Sequence, residues 1–178
     1  MGEKIMDVFE TIRDRRSIRS FTDKHVQDNT VNELINLAQW APSAGNKQAR
    51  DFIIIRDDKP KKKLSLAALD QEFIEEAPVV VVVCANEERS SLRYGERGRT
   101  LYCILDAAAA VQNLLLAVHS LGLGGCWIGA FSDSEVKAVL NLPRFLRPIA
   151  IIPIGYSFEK PQTPTRFSHN IVVHHELY

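Results

Sequence analysis

Cysteine is scarce: the chain has three in 178 residues, Cys84, Cys103 and Cys126, far apart and each inside an apolar segment. An odd count without CxxC spacing excludes a disulfide framework and a cysteine zinc site. Three buried thiols in a reducing compartment are expected instead. The histidines His25, His119, His169, His174 and His175 show no metal-ligand spacing, so no metal is expected. Net charge is also missing, with 22 Lys+Arg against 22 Asp+Glu. Without a global field to draw nucleic acid or anionic lipid, a charged ligand must be met locally. No apolar run reaches the roughly 18 uninterrupted residues of a membrane span. The most apolar stretch, 103–118, is broken by Asp106, Gln112 and Asn113. The start of the chain carries no basic-then-apolar signal pattern, and internal repeats and low-complexity segments are absent. A dinucleotide fingerprint is lacking too. Gly122, Gly124 and Gly125 follow a helix and precede a strand, the reverse of the order a phosphate loop needs. What remains is one soluble, cytoplasmic domain, 46% hydrophobic and 25% charged, long enough to bury a sizeable core.

Periodicity supplies the elements. Ile5, Phe9 and Ile12 make one helical stripe. Thr30 and Glu33 form a capping box for a second helix that buries Val31, Leu34, Ile35 and Ala38 and ends at Pro42. Residues 52–55 read as a strand and 59–69 as a basic-faced helix. Ala77-Pro78 introduces five consecutive valines, Val79 to Val83, the pattern of a central strand covered on both faces. Segment 86–98, polar with two glycines, reads as an exposed loop. Residues 99–121 form the longest helix, apolar over most of its circumference, belonging in the middle of the structure or in an interface. Gly122 stops it. A short strand at 126–130, a helix to about Leu140 opened by the Ser132/Glu135 capping box, and a strand at 148–155 follow. In the tail only Ile171–Val173 is strand-like. Helices alternating with short apolar strands predict an α/β or α+β sandwich.

Four segments carry polar chemistry. Arg15, Arg16 and Arg19 concentrate three guanidinium forks around Ser17, suited to a phosphate or a carbonyl-bearing ring edge. Taken alone, they equally complement a helix C-terminus. Ala41 to Gln48, small and polar, permits close backbone approach or is an ordinary loop. Gly129 and Ala130 offer unobstructed backbone N–H groups or simply make a tight turn. Arg166 stands in a proline-spaced tail otherwise poor in charge.

In combination and in this order, the segments resemble the nitroreductase family. Arg-Arg-Ser-Ile-Arg with Phe21 downstream, Trp-Ala-Pro-Ser-Ala-Gly-Asn-Lys-Gln at 40–48, and Ala77-Pro78 before the valines carry the resemblance. Leu121-Gly122-Leu123-Gly124, Trp127-Ile128-Gly129, and Val173-His174 with Tyr178 extend it over nearly the whole chain. Two positions depart from the pattern. Gln48-Ala49-Arg50 stands where many members have Gln-Pro-Trp, and Pro164 stands where a lysine is common.

The resemblance implies an α+β fold in which a central mixed sheet is flanked by helices, with the C-terminal tail exchanged between subunits. It implies a homodimer binding FMN at the subunit interface. Electrons would pass from NAD(P)H to a small organic acceptor such as a nitroaromatic, quinone or flavin, by ping-pong turnover. Arg15, Arg16, Ser17 and Arg19 match the N-terminal flavin-binding run, Arg15 at the phosphate and Arg19 at the N1–C2 carbonyl edge. Pro42, Ser43, Ala44 and Asn46 match the segment that reaches the flavin from the other subunit. Gln71 matches a cofactor-contacting glutamine, Gly129 and Ala130 the donors near N5 and O4, and Arg166 the second phosphate arginine. The flavin itself transfers hydride and electrons, so no catalytic side chain is expected. Specialised members of the fold, acting in reductive dehalogenation or flavin fragmentation, usually carry an extra substrate lid, for which segment 86–98 leaves little room. A non-catalytic flavin-binding dimer would differ by failing to be reduced by NAD(P)H.

Overall fold

The computed structural model describes residues 7–178, so Ile5 of the first helical stripe lies outside the described residues. The five valines organise everything else. They lie in β2 (Val79–Asn86), buried along its whole length and flanked by β1 (Arg50–Ile55) and β4 (Leu146–Gly155). With the two-residue β3 (Gly124–Gly125), the sheet order is β1-β2-β4-β3. Neighbouring strands are antiparallel throughout, not mixed. Among the described residues, the one parallel pairing is an isolated bridge between Ser17 and Gly125.

Strand alternation divides the core in two. Val79, Val81, Val83 and Ala85 face α2 (Asp28–Gln39) and α6 (Cys103–Ser120), with Ala150, Ile152 and Ile154 of β4 beside them. Val80, Val82 and Cys84 face the other layer, containing α3 (Asp58–Ala67), α4 (Phe73–Glu76) and α7 (Asp133–Leu140). The α6 face buries Ala107, Ala110, Val111, Leu114 and Val118, as its composition requires. At its end Gly122 takes φ +71°, and the N–H of Leu123 returns to the Val118 carbonyl at 2.9 Å. Only glycine holds that left-handed conformation without strain.

Local competition decides where structure and expectation differ. The second helix starts at Asp28, two residues before Thr30, and its N-cap Gln27 makes no side-chain bond. Asp28 in the first turn complements the helix dipole, so the Thr30/Glu33 capping box does not form. Ser132 does cap its helix, its hydroxyl accepting from the Glu135 N–H at 3.4 Å, but its own N–H donates to the Ala67 carbonyl at 2.9 Å, so the reciprocal half of the box does not form. Segment 86–98 is not a loop but α5 (Glu87–Arg97). Its N-cap, Asn86, accepts from the Arg89 N–H at 2.9 Å, and Glu87 and Glu88 occupy the first turn. Gly95 (φ +54°, ψ −136°) breaks the helical path, and a π-type turn, Gly98–Tyr102, leads into α6. That turn takes in residues expected to open the long helix. In the basic-faced α3, Lys61 is turned inward, 5% exposed, donating to the Ala77 carbonyl at 3.0 Å. Of the strand expected at 126–130 there remains a bridge between Ile128 and Ile151, while the strand pairing falls earlier, in β3. The expected tail strand is a single helical turn, α8 (His169–Val172).

Two apolar surfaces remain uncovered. In α1 (Val8–Asp14), Thr11 is buried while Val8, Phe9 and Ile12 are exposed, so the predicted stripe faces away from its own core. Trp40, 85% exposed, adds to it. From Phe158 to the end, only Pro161 and Val173 are even partly covered.

All three cysteines are buried free thiols. Burial, reinforced by Asp51, pushes the Cys84 thiol up to about 12, and burial also raises Cys103 and Cys126. Unfolded thiols ionise near ~8.5, so above that pH the native state holds more protons than the unfolded chain. The thiols' contribution is intact below ~8.5 and is lost progressively as pH rises toward the native values. The expected result is a melting temperature that falls above about pH 8.5, and native thiols inert to alkylation at pH 8. Native alkylation at the rate of the denatured chain would contradict this burial.

Candidate functional site

The Arg15–Arg19 run leaves α1 as an extended segment beside β3. Ile18 donates to the Gly125 carbonyl at 3.0 Å, and Ser17 bridges Gly125. The approach is close because position 124 is glycine: a Cβ there would lie 2.7 Å from Ile18 Cγ1. Extended backbone sends alternate side chains to opposite sides. Arg15, Ser17 and Arg19 all surround the Cys126 thiol and pull its pKa down against the larger effect of burial. Arg16 points elsewhere. Its guanidinium donates to the Arg13 and Arg15 carbonyls at 2.6 and 2.9 Å and to Thr163 Oγ1 at 2.6 Å. It lines a cavity of about 520 Å³ with Ile18, His119, Ser157, Glu159 and Lys160. The Arg16 guanidinium is thus already engaged by protein acceptors, while its charge is still felt at Arg15.

Burial, then Arg16 and then Arg166, depress the Arg15 guanidinium below its ordinary value. The charge of Arg166 thus reaches Arg15, more weakly than that of Arg16, although 151 positions separate them (166 minus 15). It is exposed, and among the described residues its guanidinium bonds to the neighbouring Thr165 carbonyl alone, at 3.0 Å. Cations crowded around a half-buried cation form a site that gains from an anion. Glu159, which sequence reasoning missed, touches the run from the tail: its carboxylate accepts from the Arg19 backbone N–H. Nothing in the local sequence marks Glu159, because the contact spans 140 residues.

Beyond Cys126 the chain reaches Gly129 and Ala130, both exposed. Added at Gly129, a Cβ would meet only Trp127 Nε1, at 3.8 Å, so the backbone there is open to a ligand. Gln71 closes this side, its amide donating to the Ala68 carbonyl at 2.7 Å and lying 3.5 Å from the Ala130 carbonyl. Arg15, Ser17, Arg19, Gln71, Gly129, Ala130 and Arg166 therefore belong to one end of the molecule.

Pro42, Ser43, Ala44 and Asn46 do not join them. They lie in a turn containing the 3₁₀ segment Ala44–Asn46, with Gly45 and Asn46 at φ +52° and +53°. Ser43 Oγ accepts from the Gln48 N–H, and Asp106 Oδ1 from the Ala44 N–H, both at 2.9 Å. Behind the turn stands Arg50, 2% exposed. Its guanidinium donates to the carbonyls of Gln39 (2.5 Å), Ala41 (2.9 Å), Pro42 (3.4 Å) and Asp106 (3.4 Å). The departure at Gln48-Ala49-Arg50 is thus a buried cation holding this turn. Asp106, the one acid in α6, was the sequence signal for it. Asp106 lies at the start of α6, whereas His119, whose pKa feels Asp14, Arg15 and Arg16, lies at its end. At ~1.5 Å rise per residue, roughly 20 Å of helix separates the two halves within one chain.

The nitroreductase family model matches residues 12–72 and 65–156. The chain is 31% identical to an FMN reductase (NADPH) of Bacillus subtilis, the match covering 96% of this chain and 73% of that one. It is 30% identical to the oxygen-insensitive NADPH nitroreductase of Salmonella typhimurium, over 95% and 73% of the two chains. Among solved structures, the NADPH:FMN oxidoreductase of Vibrio harveyi complexed with NAD+ superposes with a TM-score of 0.89 at 28% identity, covering 96% of this chain and 77% of that one. A family match over most of the length, in the same order as the motifs above, leaves one assignment: the chain belongs to the nitroreductase family.

Proposed function

We propose that the protein is an FMN-dependent oxidoreductase that passes electrons from NAD(P)H to a small organic acceptor, working as a homodimer. One observation carries the shared site: the two sets of residues that match flavin contacts sit at opposite ends of α6. A second copy, presenting its Pro42–Asn46 turn to the first copy's Arg15–Arg19 run, completes the constellation. The exposed Val8, Phe9, Ile12 and Trp40, and the apolar residues of the tail, supply surface for that association. The tail reaches over the partner in this reading, since beyond Phe158 its own residues are almost all exposed on the single chain. Three buried free thiols favour a cytoplasmic setting.

The residues present fit FMN. Arg15 and Arg166 offer two cations to a phosphate, and their mutual repulsion is relieved by an anion between them. The open backbone at Gly129 and Ala130 presents N–H donors to polar ring atoms, while Arg19 is a cation for the N1–C2 edge. Gln71 stands beside Ala130 and limits how far the ring can slide. The Pro42–Asn46 turn from the partner closes over the ring and excludes water. Bound there, FMN supplies the redox chemistry, taking electrons from NAD(P)H in one half-reaction and giving them to a nitroaromatic, quinone or flavin in the next. The protein's part is to bind, orient and tune, and no side chain need act as acid, base or nucleophile.

The absorption spectrum of purified protein with added FMN tests the reading. About one flavin per chain, bleached anaerobically by NADH or NADPH and restored by a quinone, is the expected result. Protein that binds neither FMN nor FAD at micromolar concentration would end it.

A further inference from the structure

Helix α5 does more than occupy a segment expected to be loop. Two of its side chains lie over the turn assigned to the partner's flavin. A Cβ at Gly45 would meet the Tyr94 hydroxyl and, at 3.0 Å, Arg93 Nη1. Tyr94 packs edge-on against Tyr102, ring centroids 5.1 Å apart at 86°. Arg97 Nε donates to the Tyr102 hydroxyl at 2.9 Å. Each arginine is laid on a ring, Arg93 at 5.4 Å from the Tyr94 centroid and Arg97 at 5.2 Å from that of Tyr102.

These two guanidinium groups differ from their neighbours. Arg89 is paired with Asp51 at 3.1 Å, and Arg99 with Glu96 at 2.6 Å. Among the described residues, neither Arg93 nor Arg97 has a carboxylate within ion-pair distance. Both are exposed. An aromatic face orients a guanidinium without neutralising it, so the fork remains charged and restricted in motion. Two such forks, each on one ring of a packed tyrosine pair, suit a phosphate rather than a neutral ligand.

We propose that Arg93 and Arg97 form an anion site that takes a phosphate group of the incoming nicotinamide nucleotide. This inference rests on the proposed role of the Pro42–Asn46 turn in meeting the partner's flavin ring. The FMN phosphate belongs at Arg15 and Arg166, the other end of the constellation. A phosphate received beside Gly45 therefore belongs to the molecule that stacks on the ring and not to FMN. The donor carries such phosphates in its pyrophosphate and, for NADPH, on the ribose.

The test uses the FMN-loaded dimer of Arg93→Gln, Arg97→Gln and the double variant. Bound FMN content reports that the fold and flavin site are intact. Stopped-flow reduction is followed with NADPH, NADH and 1-benzyl-1,4-dihydronicotinamide, a donor without phosphate. Calorimetry with NADP+ on the oxidised protein gives a reading independent of turnover. Each single substitution should weaken NADPH and NADP+ binding roughly tenfold while the limiting reduction rate holds. The phosphate-free donor should react as with the unaltered protein. Loss with NADPH alone assigns the ribose phosphate, and equal loss with NADH assigns the pyrophosphate; both support the site. Unchanged NADPH binding, or an equal loss with the phosphate-free donor, overturns it. If no donor reduces the unaltered protein, the oxidoreductase reading fails first and this site with it.

Discussion

Replacing Arg50 with alanine is expected to be among the most destabilising single changes in this chain. Arg50 is buried and its fork meets four backbone carbonyls, so truncation leaves those carbonyls and Asp106 without their cation. Removing one partner from a buried ionic network costs roughly 3–5 kcal/mol. At about 2–4 °C per kcal/mol for a chain of this size, the melting temperature should fall by roughly 10 °C. Arg50→Met keeps much of the aliphatic packing and should lose nearly as much, because the loss comes from hydrogen bonding rather than volume. Both variants should also bind FMN more weakly, since Ala41 and Pro42 are among the carbonyls released. Thermal melts at equal protein concentration, with and without FMN, give the answer. A melting temperature within one or two degrees of the unaltered protein would show that Arg50 does not hold the turn.

The arginines of the other half-site should separate by role. In Arg166→Ala a charge-assisted contact worth about 1.5–3 kcal/mol is removed, so FMN should bind roughly ten- to a hundredfold more weakly. Riboflavin, which lacks the phosphate, should lose almost nothing. Arg19→Ala should instead weaken both flavins and lower the midpoint potential of the bound flavin, because a cation at the N1 edge favours the reduced, anionic ring. Flavin titrations and a redox titration of each variant distinguish the two. Equal losses of FMN and riboflavin in Arg166→Ala would place the phosphate elsewhere. Arg16→Ala, by contrast, should affect FMN least of the three, since its guanidinium is already engaged by Thr163 and the Arg13 and Arg15 carbonyls.

Why some of this was legible in the sequence and some not follows from the range of the forces involved. The valine run had one solution, a strand covered on both faces, because five consecutive β-branched residues cannot leave one side in water. The Ser132 cap and the Gly122 stop are local events, decided within a few residues of chain. The Thr30 box looked as strong as the Ser132 box, yet Asp28 and Asn29 let the helix begin earlier. Segment 86–98 misled because a surface helix with one buried residue, Ser90, has no apolar stripe to read. Its signals were polar: the Asn86 cap and the two glutamates after it. For the site, the Arg15–Arg19 run was visible as a charge cluster, but the direction of Arg16 depends on strand alternation beside β3 and on a threonine 147 positions away. The α1 stripe was legible as an apolar face, but not what covers it, since periodicity marks a face without naming its neighbour. That uncovered face and the separation of the half-sites point to the same second chain.

The central claim, a flavin site built by two chains, is most directly tested by complementation. One variant, Arg15→Ala with Arg166→Ala, damages the phosphate half; a second, Ala44→Tyr, blocks the half contributed by the turn. Each alone should form dimers that take up little FMN. Mixed by unfolding together and refolding at equal amounts, about half of the dimers pair one variant with the other, and each mixed dimer holds one intact site of two. Recovery of about a quarter of the FMN binding and NAD(P)H-dependent reduction of the unaltered protein is the predicted result. Mixed dimers no better than either parent would contradict the shared site.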